Sequence, residues 1–325
     1  MADCSNNFKS GEDCYLSKIS LSSQKEDQLR TSRDALREKI RAYLKEKGIK
    51  DTRFYRQGSY AHRTMISPLN CDYDIDDGVY MDLSDFKEEP STRTIHTWIL
   101  EAVENHTQTP PVDKEPCVRA IFKAGYQVDL PAYKIEERGD ENENYFLAKK
   151  TSGWFESDPK AMTRWFQDQI KQKSEQLRRL VKYFKGWRDY RSTKNPTKLP
   201  SGLTLTILAC EQYLSDPRDD ISFTETARSI LARLRLSDAI WKPYHPTENM
   251  RDYLSDRQFD HFINELEKLV ATGDEAIEKK SAPKAAQKWQ KVLGERFPVL
   301  EDPDEGSKAK KFEKPAIVGT TVRSA

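Results

Sequence analysis

The stretch that decides the fold is CDYDIDDGVYM, residues 71–81. Tyr73 and Ile75 alternate in it with Asp74 and Asp76, which is the pattern of a strand with two different faces. Asp74 and Asp76 therefore project from one face, while Ile75 points into the core. Two carboxylates this close repel each other, and a divalent cation relieves that repulsion. Because Mg²⁺ prefers a few carboxylates together with substrate phosphates, the stretch predicts a metal-binding strand.

Two neighbouring segments extend this predicted site. Gln57-Gly58-Ser59 forms a turn 15 residues before Asp74, counted from the serine, and its backbone N–H groups and hydroxyl can hold phosphates. Asp129 lies in a predicted strand, residues 126–133, on the face opposite its apolar neighbours. Pro131 removes a hydrogen-bond donor, so this strand should lie near a sheet edge or end there.

The aspartates have two other possible interpretations. The spacing of Asp72, Asp74 and Asp76 resembles the start of an EF-hand loop, but the sixth position is Asp77 rather than glycine and the twelfth is Leu83 rather than glutamate. An acidic, solvated strand face stays open as the plainer alternative. It is less favoured because the Gly-Ser turn and the third carboxylate are both suitably placed.

The rest of the chain divides into a mixed half and a helical half, which predicts an α+β fold. Apolar spacing predicts a helix from Ser22 or Ser23 to Lys47, closed by Gly48. Asp158-Pro159 is a strong helix start, and nothing strand-like follows residue 160. Further predicted elements are a helix over Thr92–Asn105, a hairpin of Val118–Phe122 with Tyr126–Ile135 in a mostly antiparallel sheet, and helices over 202–214, 223–236, 256–271 and 284–294. The predicted units are a flexible N-terminus (1–20), a core (21–155), a helical domain (156–301) and a disordered tail (302–325).

Composition excludes several classes of protein. The 325 residues carry 54 basic and 53 acidic side chains, so no global positive field exists to bind nucleic acid. No apolar run approaches the ~20 residues that span a bilayer, and Met1–Cys4 lacks the features of a signal peptide. A cytoplasmic protein without a membrane partner is expected. The five cysteines form no C-x-x-C pair, which favours buried or incidental thiols over zinc or disulfides.

At these residues the sequence resembles the cGAS/DncV-like nucleotidyltransferases (CD-NTases) of bacterial CBASS anti-phage systems. The matching segments are Gln57-Gly58-Ser59-Tyr60, Asp74-Ile75-Asp76-Asp77-Gly78 and Tyr126-Gln127-Val128-Asp129-Leu130-Pro131, then Leu180-Val181-Lys182-Tyr183, Trp187 and Leu199-Pro200-Ser201-Gly202-Leu203, and finally Trp289, Gly294 and Arg296-Phe297-Pro298. The resemblance implies a polymerase-β-like nucleotidyltransferase core joined to a C-terminal helical domain, with the active site in the cleft between them. No His/Cys cluster matches the zinc insertion of the animal DNA sensor, so activation by DNA is not expected.

The resemblance also implies roles for individual residues. Asp74, Asp76 and Asp129 would hold two Mg²⁺ ions, with Mn²⁺ as an alternative, of which one activates a ribose hydroxyl and the other stabilises the pyrophosphate leaving group. Gln57, Gly58 and Ser59 would contact the nucleotide. Lys182 and Ser201 would grip the triphosphate. For Lys182 the alternative is a snorkelling surface lysine, and for Ser201 it is a helix N-cap.

The expected product is a cyclic oligonucleotide second messenger made from NTPs, with cyclic GMP–AMP or another cyclic dinucleotide, formed from ATP and GTP, as the specific prediction. The product would act on a downstream effector. The final residues, Gly319–Ala325, suggest conjugation through Ala325 by a ubiquitin-transfer-like enzyme; a linker without function is the alternative. Two other functions stay open: a nucleotidyltransferase acting on RNA or a small acceptor, and a non-catalytic nucleotide-binding scaffold.

Overall fold

A mixed eight-stranded sheet organises the first half of the chain in the computed structural model, which describes residues 1–136 and 143–299. Its strands are β1 (Thr52–Gln57), β2 (Tyr73–Met81), β3 (Val112–Asp113), β4 (Val118–Phe122), β5 (Tyr126–Leu130), β6 (Ala132–Glu136), β7 (Asn144–Lys149) and β8 (Gly153–Glu156). The predicted strand around the aspartates and the predicted hairpin of β4 with β5 are both present.

Strand β2 lies at the centre of this sheet and has neighbours along both edges. β1 pairs with it antiparallel, whereas β5 and then β6 run parallel to it along the other edge. Pro131 separates β5 from β6, and its carbonyl accepts the Val79 N–H at 2.8 Å. The prediction that the strand ends at Pro131 is confirmed, but the site is interior rather than at an edge. The expectation of a mostly antiparallel sheet is confirmed, since only the pairings of β2 with β5 and β6, the chain segment that carries Asp129, are parallel.

Two helices cover one face of the sheet: α3 (Ser23–Glu46) and α5 (Thr92–Val103). Ser22 caps α3 by accepting the Lys25 N–H, and Gly48 follows its end at φ +96°, so both predicted boundaries are confirmed within a residue. On this face Asp77 of β2 is fully buried and forms an ion pair with Arg37 of α3. Asp77 is therefore a structural charge, while its neighbours in sequence face the opposite way.

The second half of the chain is helical and has its own apolar core. Its helices are α6 (Pro159–Lys173), α7 (Glu175–Lys194), α8 (Gly202–Gln212), α9 (Asp219–Leu236), α10 (Asp256–Ile277) and α11 (Ala282–Leu293), with a 3-10 turn at Met250–Tyr253. Asp158 caps α6 and Pro159 is its first residue, as predicted. A hairpin of β9 (Trp241–Lys242) with β10 (His245–Asn249) corrects the expectation that no strand follows residue 160.

The N-terminus is part of the helical core, so the predicted flexible segment over residues 1–20 is wrong. It forms α1 (Ser5–Lys9) and α2 (Tyr15–Ile19), and the side chains of Phe8, Tyr15 and Ile19 are completely buried. Phe8 meets five aromatic rings, those of Tyr15, Tyr183, Phe223, Trp289 and Phe297, at centroid distances of 4.9–6.2 Å. The helices are too short for their periodicity to be visible in the sequence.

Replacing Phe8 with alanine should lower the free energy of unfolding by about 3–5 kcal/mol, the usual range for removing a fully buried phenylalanine ring. Urea denaturation followed by tryptophan fluorescence measures this loss. Lys18→Ala, on the exposed side of α2, serves as the control and should change the stability little. A Phe8→Ala variant as stable as the wild type would mean that the N-terminal helices do not contribute to the core.

Three predictions concern the chain as a whole. The tail over 302–325, with Ala325, lies outside the described residues. The thiols are free, and four of the five, all except Cys71, are buried, as predicted. No helix in the described ranges is both long and apolar enough to cross a membrane.

Candidate active site

A cleft of about 760 Å³ opens between the uncovered face of the sheet and the helical part of the chain. Its floor comes from the end of β1, the first residues of β2 and the short helix α4 (Gly58–His62). Its other wall comes from α6, α7, α8 and the β9–β10 hairpin. The residues used below that line it are Gln57, Gly58, Ser59, His62, Thr64, Asp72, Asp74, Asp76, Lys185, Arg188, Gly202, Lys242 and His245.

The three predicted aspartates come together beside this cleft. Asp74 and Asp76 lie on the cleft face of β2, and Asp129 is the register partner of Asp76 on the parallel strand β5. Ile75 is fully buried on the other face, as the alternation predicted. The Asp74 side chain is about half exposed, at 53%, whereas Asp129 is buried. Strand register therefore produces a carboxylate cluster at the point where the sheet meets solvent.

Arg119 of β4 binds two of these carboxylates. Its Nε and Nη2 donate to the two oxygens of Asp129 at 2.5 and 2.6 Å, and Nη2 also donates to Asp74 at 3.0 Å. One guanidinium nitrogen thus connects Asp74 with Asp129, which places their oxygens on a common cation. The carboxylates raise the pKa of Arg119, first through the hydrogen bond that Arg119 donates to Asp129. Arg119 was not identified from the sequence.

The cluster has the chemistry of a divalent-cation site. Burial, followed by the charges of Asp74 and Asp129, raises the pKa of Asp76 to about 7. The positive charge near Asp76 is therefore too small to balance its ionised form. In residues 1–136 and 143–299 no three acidic, histidine or cysteine side chains are already arranged as a metal site. We attribute this to Arg119, which takes the place of a cation between Asp74 and Asp129. Two carboxylates joined by one guanidinium, with the third carboxylate beside them, fit Mg²⁺, whose preferred ligands are oxygens.

The Gly-Ser turn brings the backbone against the acidic cluster. Gly58 has φ +56°, and a Cβ atom placed on it would lie 2.5 Å from Oδ2 of Asp76. Only glycine permits this approach without strain. Ser59 lines the cleft next to it, and the Ser59 carbonyl accepts the Thr64 N–H at 2.9 Å, which closes the turn.

Gln57, directly before this turn, is held in place by hydrogen bonds of its side chain. Its side chain is buried, with Nε2 donating to the Tyr80 hydroxyl at 2.9 Å and Oε1 accepting from the Tyr133 hydroxyl at 3.2 Å. Both tyrosines belong to an aromatic cluster on the cleft face of the sheet. Although Gln57 lines the cleft, its amide is already satisfied by these partners, so the structure gives it a supporting position beneath the turn.

The helical wall presents Lys185 to the cleft, not Lys182. Lys182 donates to the Ser20 hydroxyl at 3.0 Å and is absent from the described residues that line the cleft. Lys185, three residues later on α7, lines the cleft and donates to Oγ1 and the carbonyl of Thr64 at 2.8 and 3.2 Å. The sequence-based choice of Lys182 as the lysine that reaches into the cleft is therefore corrected to Lys185. Both lysines have apolar neighbours, and only the packing of α7 distinguishes them.

Ser201 has the N-cap position that was its alternative interpretation. Its hydroxyl accepts the Thr204 N–H at 3.1 Å and caps α8, and Ser201 itself does not line the cleft in the part of the chain that is described. The next residue, Gly202, does line it. The role of Ser201 in phosphate binding stays a prediction.

His62 is a further residue of the cleft, and it was not predicted from the sequence. It is buried in α4, its ring is stacked on Phe166 at 4.7 Å, and it lines the cleft. Burial, and then the charges of Lys185 and Arg178, lower its pKa to about 3, so the imidazole is neutral at physiological pH. No local sequence signal separates such a histidine from an exposed one.

Lys185 gives the protein a defined pH dependence. Burial, followed by the charges of Arg188 and Lys182, lowers its pKa to about 7, whereas in the unfolded chain it stays near its ordinary 10.5. Between these values the unfolded state binds more protons, so the folded state becomes more stable as pH rises, by at most about 1.4 kcal/mol per unit. Lys185→Met should remove this gain. Urea denaturation at pH 6.5 and 9 measures it, with exposed Lys171→Met as the control.

One result of the urea denaturation would contradict this prediction. If Lys185→Met and the wild type showed the same change in unfolding free energy between the two pH values, Lys185 would not be desolvated in solution. The loss of its hydrogen bonds to Thr64 shifts stability equally at both pH values and does not affect the comparison.

The fold is that of polymerase-β-like nucleotidyltransferases with a C-terminal helical part. Solved structures of Vibrio cholerae DncV superimpose on the chain with TM-scores of 0.76 for the apo form and 0.77 for the complex with nonhydrolysable GTP, at 20% and 18% identity. The second covers 93% of this chain and 100% of DncV. The predicted fold class is confirmed.

Sequence comparisons point to proteins of the same kind. Residues 52–133 match the model of the DncV-like cyclic GMP-AMP synthase nucleotidyltransferase domain. The cyclic GMP-AMP synthase of Escherichia albertii is 29% identical over 220 residues, which are 65% of this chain and 48% of the relative. The cyclic AMP-AMP-AMP synthase of an Acinetobacter species is 28% identical over 45% of this chain and 44% of its own length. The alignments thus span about half the length of these curated relatives, and the predicted resemblance to the cGAS/DncV-like nucleotidyltransferases is confirmed.

Proposed function

We propose that the protein synthesises a cyclic oligonucleotide from nucleoside triphosphates. The observation that carries the proposal is the convergence of Asp74, Asp76 and Asp129 beside a cleft that has cationic side chains on its opposite wall. In such a cleft, the carboxylates on one side bind metal ions and the cationic groups on the other side bind phosphates. Relatives named as cyclic di- and trinucleotide synthases support the same activity.

The three aspartates are the proposed metal ligands. When bound there, Mg²⁺ supplies charge neutralisation of the triphosphate and acidifies a ribose hydroxyl. Asp129 is held by its register opposite Asp76, so its carboxylate is positioned to orient that hydroxyl and accept its proton. The Asp76 carboxylate lies so close to Gly58 that a Cβ atom at that position would come within 2.5 Å of Oδ2.

The remaining cleft residues position the nucleotide. The Ser59 hydroxyl and the backbone of the Gly-Ser turn lie next to the acidic cluster, where phosphates that bridge to the metals would be. Lys185 faces the same cavity from α7 and supplies positive charge to the triphosphate. Contact with an anion would favour the charged form of Lys185, which burial alone disfavours.

Mass spectrometry of products formed from all four NTPs with Mg²⁺ tests the proposal. A cyclic product that resists phosphatase is the expected result, and we propose a cyclic dinucleotide such as cyclic GMP–AMP. Labelled nucleotides that are joined only when RNA or another acceptor is added would replace the proposal with a transferase function. Absence of any joining, together with full biological effect of Asp74→Asn, would support a non-catalytic scaffold.

The proposed biological role is anti-phage defence through an effector that the cyclic product activates. A plasmid carrying the wild-type gene with its neighbouring genes should reduce phage plaque numbers, and an Asp74→Asn version should not.

Conjugation of Ala325 by a ubiquitin-transfer-like enzyme is a separate proposal. Deleting Ala325 should abolish conjugate bands on a gel, and unchanged bands would reject it.

A further inference from the structure

The turn that joins β9 to β10 places an aromatic residue in an unfavourable backbone conformation. Lys242 pairs with His245, so Pro243 and Tyr244 are the two residues of the turn. Proline fixes φ near −65°, and Tyr244 follows at φ +61°. This combination of signs is that of a type II turn, whose second position normally takes glycine or asparagine. A bulky residue there is strained, and such strain concentrates at functional sites.

The Tyr244 side chain has no structural role that would explain the strain. It is 64% exposed. Within residues 1–136 and 143–299, its ring has no stacking or cation–π partner, and its hydroxyl has no hydrogen bond. Replacement by glycine would relieve the backbone and remove no hydrogen bond or aromatic contact among the described residues. The ring is therefore available to something outside the chain.

The turn lies beside the cleft that holds the acidic cluster. Lys242 and His245, on either side of it, both line that cleft, together with Asp74 and Asp76 from the opposite wall. Tyr244 itself is not among the described residues that line the cleft, so it lies beside the cleft on the wall opposite the acidic cluster. A nucleotide with its phosphates between the acidic cluster and Lys185 could extend its base toward this turn.

The base of the hairpin is firmly held, so the backbone position of the turn is defined. The Met250 N–H donates to the Ile240 carbonyl at 2.7 Å, and the Asn249 side chain accepts the Ile240 N–H at 2.8 Å. Lys242 and Glu248 form an ion pair across the hairpin at 2.7 Å. A rigid base with an exposed aromatic tip loses little conformational entropy when a flat ligand stacks on it.

We propose that Tyr244 is a stacking platform for the nucleobase of a nucleotide bound in the cleft; this rests on the proposed function, because it assigns the base subsite of that same site. Stacking on an aromatic ring is worth about 1–3 kcal/mol per base and tolerates any base, since each has a π face. The platform strengthens nucleotide binding and does not select strongly among bases.

Binding to the full chain, measured by calorimetry with Mg²⁺, tests this inference. The probes are α,β-methylene ATP and α,β-methylene GTP, which cannot be joined, and inorganic tripolyphosphate, which has no base. Tyr244→Gly should weaken binding of both analogues about 5- to 150-fold and leave tripolyphosphate within twofold, as the stacking energy implies. Tyr244→Phe, which keeps the ring, should bind like the wild type. Lys185→Met, in contrast, should weaken all three ligands.

Each other outcome overturns the inference. Unchanged analogue binding by Tyr244→Gly would show that the ring contacts no base, and an equal loss for tripolyphosphate would show that the turn acts on phosphates or on the fold. A melting temperature at or above that of the wild type is expected for Tyr244→Gly, since glycine accepts the left-handed conformation. Normal nucleotide joining with no effect of Tyr244→Gly would sink the inference alone. Base-dependent binding without any joining would sink the proposed function alone.

Discussion

Changing Asp76 to asparagine is expected to reduce nucleotide joining at least ~10³-fold, which corresponds to about 4 kcal/mol of lost transition-state stabilisation. The amide keeps the shape of the carboxyl group and its place against Gly58, but it removes the negative charge that would hold metal. Initial rates of product formation at saturating Mg²⁺ measure the loss. Asp85→Asn is the matched control, because that carboxylate lies on the surface and pairs only with Lys50 among the described contacts.

In the absence of metal ions, Asp76→Asn should be at least as stable as the wild type. Because the folded pKa of Asp76 is raised to about 7, the folded state binds more protons than the unfolded state between about pH 4 and 7. Stability from this group is therefore lost as pH rises through 7. Asp76→Asn should melt at a higher temperature than the wild type in EDTA at pH 8, with a smaller difference at pH 6. A nucleotide-joining rate of Asp76→Asn within tenfold of the wild-type rate would contradict the catalytic role of Asp76.

Gly58→Ala should lower the joining rate at least ~10²-fold. The added methyl would meet Oδ2 of Asp76 at 2.5 Å, so either the turn or the carboxylate must move, and small displacements in an active site have large effects on rate. Measured kcat should fall, and the Mg²⁺ concentration needed for half-maximal rate should rise.

Gly153→Ala separates this effect from backbone strain. Gly153 also has a left-handed backbone, at φ +81°, but a methyl there meets nothing within 4 Å. Both variants should lose about 1 kcal/mol of stability from the left-handed conformation, and only Gly58→Ala should lose activity. Equal activity in the two variants would show that the close approach of Gly58 to Asp76 is not required.

The sequence predicted the acidic site well because strand alternation is a local rule. The faces of β2 follow directly from the order of Tyr73, Asp74, Ile75 and Asp76, and no distant residue can change them. Arg119 depends on pairing between strands, yet it too could have been found. Counting backwards through the predicted hairpin places it opposite Asp129, which is the observed register.

Other features of the site required the folded chain. Lys182 and Lys185 lie on one helix among similar neighbours, and the helix packing decides which of them enters the cleft. The five-residue helices at the N-terminus are too short for a periodic pattern, although Phe8 and Tyr15 are among the largest fully buried side chains. Parallel pairing of β2 with the segment after Gly125 is a long-range choice that local turn signals do not encode.

Arg119 has a consequence for how the protein would respond to the ionic composition of its surroundings. A guanidinium attached to β4 cannot diffuse away, so it competes for Asp74 and Asp129 at a fixed, high local concentration. A divalent ion must displace this tethered rival before it gains both carboxylates. Occupancy would thus rise only at metal concentrations well above those that bare carboxylates would need, and nucleotides that bring their own Mg²⁺ would have an advantage over the free ion.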